Sequence, residues 1–257
     1  MSTKRKSERP AKAPAPETSA GMTDETAEAS KDRGDLLETL TTVLWAAVLA
    51  GIIRILLFEA FEIEGPSMEP TLYNHDRVLV AKFYYGLRVP LRNETLVRWG
   101  MPNAGDVVIL TAPGDNVDIV KRVVGLPGDV ISIRDDVVYR NGTPLAEHTK
   151  RATCTDHDFR LTDGPDEECT WQKEHLGSHS YRTSQSIYHE YNDREWPPVP
   201  PGHVFVMGDH RDESRDSRSY GPVPATRLKG RALLIYWSGG WPWSSSFRGS
   251  RIDKVID

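Results

Sequence analysis

The sequence predicts a mainly β protein: an antiparallel β-sheet body with an inserted cap, preceded by one N-terminal transmembrane helix. Three observations predict it. A single long apolar run lies between residues 37 and 58, and nothing later in the chain approaches its length. After Phe61 the apolar residues fall into short, β-branched, alternating runs with turn chemistry between them and no strongly amphipathic helix. Residues 146–200 interrupt that pattern with a polar stretch rich in His, Asp, Thr and Pro.

Composition narrows the classes. A chain of 257 residues can hold one or two domains with a sizeable core. The net charge of −5 shows no basic excess, and the aromatic residues are not interleaved with Lys/Arg clusters, so no nucleic acid is expected as partner. A mean hydropathy of −0.49 excludes a polytopic membrane protein. Two cysteines exclude a disulfide-dense scaffold and a paired CxxC zinc site. No metal and no cofactor is expected.

Residues 1–35 contain no Val, Ile, Leu or aromatic residue and read as a disordered tail, because such a segment cannot bury enough apolar surface to offset its ordering entropy. Residues 36–60 read as the transmembrane segment. Thr39 to Ile53 carries no charge, and Leu37 to Phe58 is broken only by Glu38 and Arg54 near its ends. A helix of that length covers roughly 33 Å, about one hydrocarbon core. The FEAFEIEGP sequence that follows offers no small-x-small cleavage site, which argues against a removed leader. Lys31 and Arg33 flank the run on its N-terminal side, with Lys4, Arg5, Lys6, Arg9 and Lys12 further back. The N-terminus is therefore expected inside and the body outside.

The body divides into 61–145, the insertion or cap at 146–200, and 201–257. Strands are expected at 77–85, 106–110, 117–125, 129–133, 136–140, 203–209 and 231–237. Pro127-Gly128 and Asn141-Gly142 supply tight turns. Trp196-Pro-Pro-Val-Pro-Pro201 reads as a stiff return from the insertion. The only two cysteines, Cys154 and Cys169, lie in the insertion and are expected to form a disulfide outside the cell. Two free thiols, or a zinc site using His148, His157, His175 or His179, are the alternatives.

Three stretches carry chemistry. Ser67 sits in Ile63-Glu-Gly-Pro-Ser-Met-Glu-Pro-Thr-Leu72, on backbone constrained by Gly65, Pro66 and Pro70. A serine is a weak nucleophile without an adjacent base, and in a Pro/Gly turn it is more often a turn residue. Lys121 lies inside the apolar strand Ile119-Val-Lys-Arg-Val-Val124. A desolvated lysine can have its pKa lowered toward roughly 7–8 and act as a general base, though an edge-strand lysine facing solvent shows the same pattern. Val206-Met-Gly-Asp-His-Arg-Asp-Glu-Ser-Arg-Asp-Ser-Arg-Ser-Tyr220 alternates acids and arginines around Ser214 and Ser217. It lacks calcium-loop spacing and reads as an Asp–Arg scaffold. No other feature orients His210 as a triad base.

In order along the chain, GPSMEPTL, RVLVAKFYYG with GDVVIL, IVKRVVGLPGD, and GDHRDESRDSRSYGPVP resemble four sequence boxes of the bacterial type I signal peptidases, a family of membrane-anchored Ser–Lys proteases. The resemblance covers about 58–140 and 203–237. It implies an antiparallel catalytic body of the signal-peptidase type, and an endopeptidase that removes signal peptides after small residues at −1 and −3. It implies Ser67 as nucleophile, Lys121 as general base, and Ser214 as the hydroxyl that orients the lysine. Asp209, Arg211, Asp216 and Arg218 match the residues that hold the supporting loop. Ile63, Leu72, Ile119 and Val120 would line the −1 pocket, and Phe61, Ile63, Val78 and Val120 the −3 pocket.

Gly65 stands where many members have a serine that donates to the oxyanion, so the hole must rest on backbone N–H groups, chiefly that of Ser67. Pro66 has none to give. His210 and Glu213 replace usual asparagines. The implied setting is the cell membrane, single-pass, with a cytoplasmic N-terminus. Preprotein signal peptides, membrane lipid and the protein-export machinery are the implied partners. Two other readings compete. An autocleaving Ser–Lys repressor would need a DNA-binding domain for which 1–35 is too short. An inert membrane-anchored β-module binding surface partners would not need Ser67, Lys121 and Ser214 together.

Overall fold

A computed structural model of the chain describes residues 24–88, 95–153, 168–186 and 193–256. The chain divides into two compact units, Met1–Gly51 and Ile52–Asp257.

The helix Asp24–Leu57 accounts for the described part of the first unit and runs on to Leu57. It begins well before residue 36, where the sequence reading placed the end of a disordered tail. Residues 24–35 lack large apolar side chains, but Ala27, Ala29, Glu25, Glu28, Lys31 and Arg33 are good helix formers, and extending a helix that is already nucleated is easier than starting one. Leu40, Val43, Leu44, Trp45, Val48 and Leu49 are all exposed, so between residues 40 and 49 apolar side chains point outward on several sides of the helix. Among the described residues no helix is long and apolar enough to cross a membrane.

The second unit is mainly antiparallel β, as its β-branched runs predict. Its largest sheet has eight strands. In spatial order these are Phe58–Glu62, Asp76–Ala81, Leu228–Ser238, Val107–Thr111, Asp118–Gly125, His203–Met207 and Val223–Pro224, with Lys254–Val255 also pairing Leu228–Ser238. Each of these pairings is antiparallel. Residues 58–60 are expected to end the transmembrane segment, but they belong to the strand Phe58–Glu62. It leaves the helix and pairs Asp76–Ala81 from Phe58↔Ala81 to Glu62↔Arg77. Register shifts at Leu228/Gly230, Ala232/Leu234, Ile235/Trp237 and Phe205/Val206 curl the sheet, since each extra residue bends its strand.

This sheet is covered on both faces. Val107 and Ile109 pack with Ile63, Met68, Leu72, Val78, Val80 and Val120. The alternate residues Val108 and Leu110 pack with Val123, Val204, Val206 and Leu228. That is why the 107–110 run is continuously apolar rather than alternating. Asn141 and Gly142 both have positive φ, 54° and 78°, which makes the two-residue hairpin turn that Asn-Gly favours.

The insertion has its own order. Ala146–Thr153, Glu168–Leu176 and His179–Ser186 form a three-stranded antiparallel sheet. Leu176, Tyr181, Trp196 and Val199 are buried with Val124, Ile131 and Phe205, so the insertion packs on the core. The expected polyproline return is pinned there by the Trp196 and Val199 amides, which donate to the carbonyls of Ile131 and Asp129. Cys169 is disulfide-bonded, while Cys154 and His157 lie outside the described residues.

Candidate active site

Ser67 projects from the loop between the Phe58–Glu62 and Asp76–Ala81 strands. Gly65 opens the loop at φ +85°, a conformation that L side chains rarely adopt, and its N–H donates to Asn74 Oδ1 at 3.1 Å. Met68 and Leu72 are fully buried on either side of the turn and fix it to the core. The loop therefore holds the serine by anchoring its neighbours.

Lys121 comes from the Asp118–Gly125 strand and is 3% exposed. Its Nζ donates to Ser67 Oγ at 2.7 Å and to the Val120 carbonyl at 2.8 Å. Burial pulls its pKa down to about 8 against the opposing pull of the Asp216 and Asp209 carboxylates, with Arg218 adding to the depression. A shift from 10.5 to about 8 corresponds to about 3 kcal/mol of disfavoured charge. The lysine is poised to exchange a proton near neutral pH.

The loop after His203–Met207 forms the third wall. Gly208 N–H donates to Asp216 Oδ2 at 2.9 Å, and His210 N–H donates to the Ser67 carbonyl at 3.2 Å. His210 thus reaches the serine through its backbone. Asp216 is fully buried and also accepts from the Ser214 hydroxyl at 2.8 Å and from Arg218 Nε and Nη2, both at 2.8 Å. Burial works to raise the Asp216 pKa, but these donors outweigh it and hold the group ionised below the usual carboxylate range.

Ser214 was expected to hydrogen-bond the lysine. Its hydroxyl bonds Asp216 instead, and the hydrogen bonds of Lys121 go to Ser67 and Val120. The hydroxyl has one proton to donate, and Asp216, an anionic acceptor two residues on, takes it. Ser217, the other serine of this stretch, is fully buried and accepts from the Val206 amide at 2.9 Å.

Two partners escaped the sequence reading. Arg122, next to the candidate base, pairs Asp209 through Nε at 2.9 Å and Nη2 at 2.8 Å, with both side chains buried. Gly208 is the second. A Cβ placed there would come within 2.4 Å of the Ser67 carbonyl oxygen and 2.3 Å of Ser214 Oγ, so only glycine lets the two loops touch. Neither carries a sequence signature, since one reads as a strand arginine and the other as the glycine of a GD turn.

Arg211 turns away from the dyad and pairs Glu174 of the insertion at 2.6 Å, both buried. Ser184 of the insertion donates its amide to the Asp209 carbonyl and accepts from the Arg211 amide, each at 2.9 Å, and its hydroxyl donates to the Glu69 carbonyl at 3.3 Å. The insertion therefore braces both the nucleophile loop and the supporting loop.

Of the residues expected in the specificity pockets, Ile63, Leu72, Val78 and Val120 share one cluster, and Phe61 packs against it. Ile119 packs in the opposite cluster. Successive strand residues face opposite sides of a sheet, so the Ile119 side chain lies on the face opposite that of Val120.

Residues 36–237 match the sequence profile of the signal peptidase family, peptidase S26. The chain is 38% identical over 205 residues to a signal peptidase I of Pseudomonas fluorescens, covering 74% of this chain and 68% of that protein. It is 36% identical over 205 residues to the signal peptidase I of Pseudomonas aeruginosa, with the same coverage. It is 30% identical over 222 residues to a signal peptidase I of Bacillus licheniformis, covering 84% of this chain and 95% of the relative. With its fold, its buried Ser67–Lys121 contact and this similarity along most of its length, the chain belongs to the signal peptidase family, peptidase S26.

Proposed function

We propose that the protein is a serine endopeptidase, a signal peptidase I, which removes signal peptides from exported preproteins with Ser67 as nucleophile and Lys121 as general base. One observation carries the reading: a buried lysine with a lowered pKa lies 2.7 Å from a loop serine hydroxyl. In its neutral form Lys121 Nζ accepts the Ser67 proton as Oγ attacks the carbonyl of the residue at −1. The protonated lysine then delivers that proton to the leaving amine. Water attacks the acyl-enzyme with the neutral lysine again serving as base, and the serine is regenerated.

The Ser67 N–H is our candidate oxyanion donor, because Gly65 N–H is occupied by Asn74 and Pro66 has no N–H. Ile63, Leu72, Val78, Val120 and Phe61 are candidates for an apolar surface beneath small −1 and −3 side chains. Asp216, Arg218, Asp209 and Arg122 hold the loop that carries Gly208 against the serine. We assign Ser214 a supporting role through Asp216 rather than a direct bond to the base.

We also propose that residues 37–58 anchor the protein in the cell membrane as a single span, with the N-terminus cytoplasmic and the body outside. The apolar run and its outward-facing side chains support this, as do the basic residues ahead of it. Membrane lipid and the export machinery are the partners this placement implies. We assign Cys154 as the disulfide partner of Cys169, since the chain has no third cysteine.

The test is cleavage of a preprotein by the purified full chain in detergent. Ser67→Ala and Lys121→Ala should each reduce cleavage below detection with unchanged far-UV circular dichroism. Substantial activity in Lys121→Ala would refute the dyad.

A further inference from the structure

A second feature lies beside the dyad and is unused by it. A cleft of about 650 Å³ opens between the 168–186 hairpin and the C-terminal residues 251–256, and Pro70 and Thr71 of the nucleophile loop belong to its lining. Four cations line it, Lys173, Arg182, Arg251 and Lys254, and no carboxylate does among the described residues.

Two of these charges have partners. Arg251 is bound to Asp76 at 2.6 Å, and Lys173 comes within 4.0 Å of Glu147 at an exposed position. Arg182 and Lys254 form no ion pair among the described residues. The arrangement works against the fold in two ways. Lys173 and Arg182 stand directly opposite each other in the antiparallel hairpin, where like charges destabilise the pairing. Lys254 has its pKa lowered by burial first, then by Arg251, with Arg182 adding to the effect and Asp76 opposing it. A concave site that gathers four cations, two of them without an ion pair among the described residues, at a cost to the sheet is complementary to an anion.

The occupant follows from reach and from substrate composition. Thr71 is four residues after Ser67, and a chain spans at most ~3.6 Å per residue, so the lining at Thr71 lies within about 14 Å of the nucleophile along the backbone. An extended substrate covers that span in about four residues. A signal peptide has a basic n-region, an apolar h-region and small residues at the cleavage site, none of which suits a cationic cleft. Beyond the scissile bond the substrate is free to be acidic. Resting on the proteolytic reading above, we propose that this cleft binds acidic side chains of the preprotein's mature segment, at about the third to sixth residue after the cleaved bond. Arg182 and Lys254 are its specificity-determining residues.

The experiment uses the full chain in detergent and preproteins that are identical through the scissile bond. They differ only at mature positions 3–6, which carry Asp, Asn or Lys. At low salt the wild type should cleave the Asp form with a kcat/KM roughly fivefold above the Lys form, through KM. The ratio should shrink toward one near 0.5 M salt, as screening requires. Arg182→Glu with Lys254→Glu should invert the order and leave kcat on the Asn form unchanged. The proposal is overturned if the wild type treats the Asp and Lys forms alike, or if charge reversal leaves the preference intact. Should the double variant fold poorly, Lys254→Gln alone must reduce the preference, and an unreduced preference overturns the proposal equally. Loss of binding to anionic vesicles on charge reversal, without any substrate preference in the wild type, would give the cleft to a lipid phosphate and refute the peptide assignment. Failure of the wild type to cleave any of the three forms would instead strike the proteolytic reading.

Discussion

Arg122 follows the candidate base directly in the chain and grips Asp209 through two parallel hydrogen bonds at 2.9 and 2.8 Å. The pair ties the lysine strand to the loop that packs on Ser67, and Thr71 adds a third bond to the same carboxylate at 2.5 Å. Asp209→Ala would leave a buried guanidinium without its counter-ion, which typically costs about 3–5 kcal/mol. Thermal unfolding should show the Tm lowered by on the order of 10 °C. A shift below about 3 °C would mean that the pair contributes little.

Lys121 sets the pH dependence. Its folded-state pKa of about 8 lies below the unfolded value of 10.5, so the folded protein binds this proton less readily. Stability linked to this group should rise between about pH 8 and pH 10.5, where only the unfolded chain keeps the proton. Activity should climb as the amine becomes neutral, with kcat/KM showing an ascending limb near pH 8 and roughly a tenth of its plateau at pH 7. Lys121→Arg should be inactive throughout, because a guanidinium stays protonated at every usable pH. A wild-type profile flat from pH 6 to 9 would contradict the assignment.

Ser214 and Asp216 separate two kinds of support. Ser214→Ala removes one of several donors to a carboxylate that retains Gly208 and Arg218, so stability should fall by about 1 kcal/mol and kcat by less than tenfold. Asp216→Ala removes the acceptor of all these bonds and should cost at least a hundredfold in kcat. If Ser214→Ala were as damaging as Asp216→Ala, the hydroxyl would have to contact the lysine directly during turnover.

Gly208→Ala tests the contact between the two loops. The added methyl would sit 2.4 Å from the Ser67 carbonyl oxygen, well inside van der Waals contact, and must push the serine away from Lys121. Cleavage should drop by two orders of magnitude or more, in kcat rather than KM, because a displacement of about 1 Å can cost a hundredfold. Wild-type kcat in this variant would show that the loops separate without consequence.

Much of this was legible from residue order. The core strands declared themselves because β-branched runs that are apolar on successive positions have few other ways to be buried. The 2.7 Å approach of Lys121 to Ser67 was expected through the resemblance of their two sequence boxes, since a lysine in an apolar strand also fits an edge position facing solvent. The insertion's strands were not legible, because Gln172, Glu174, Thr183, Ser184 and Gln185 fill most of their buried positions, with only Cys169, Leu176 and Tyr181 apolar among the described residues. A sheet buried through polar groups shows no hydrophobic period. The partner of Asp209 was missed for a related reason: the sequence offered nearby arginines in the same loop, while the one that binds it lies 87 residues away. Ser214 was placed by resemblance, and its actual bond is set by the nearer, charged acceptor.

The sequence separation of the contacts that hold the site also bears on how the enzyme folds. Ser67 meets Lys121 across 54 residues, Thr71 meets Asp209 across 138, and Asp76 meets Arg251 across 175. Such long closures are entropically late events, and a topology dominated by them folds slowly. The nucleophile precedes in sequence both the supporting loop at 208–218 and Arg251, which pairs Asp76. A nascent or truncated copy therefore carries the serine and the lysine without the frame that unites them.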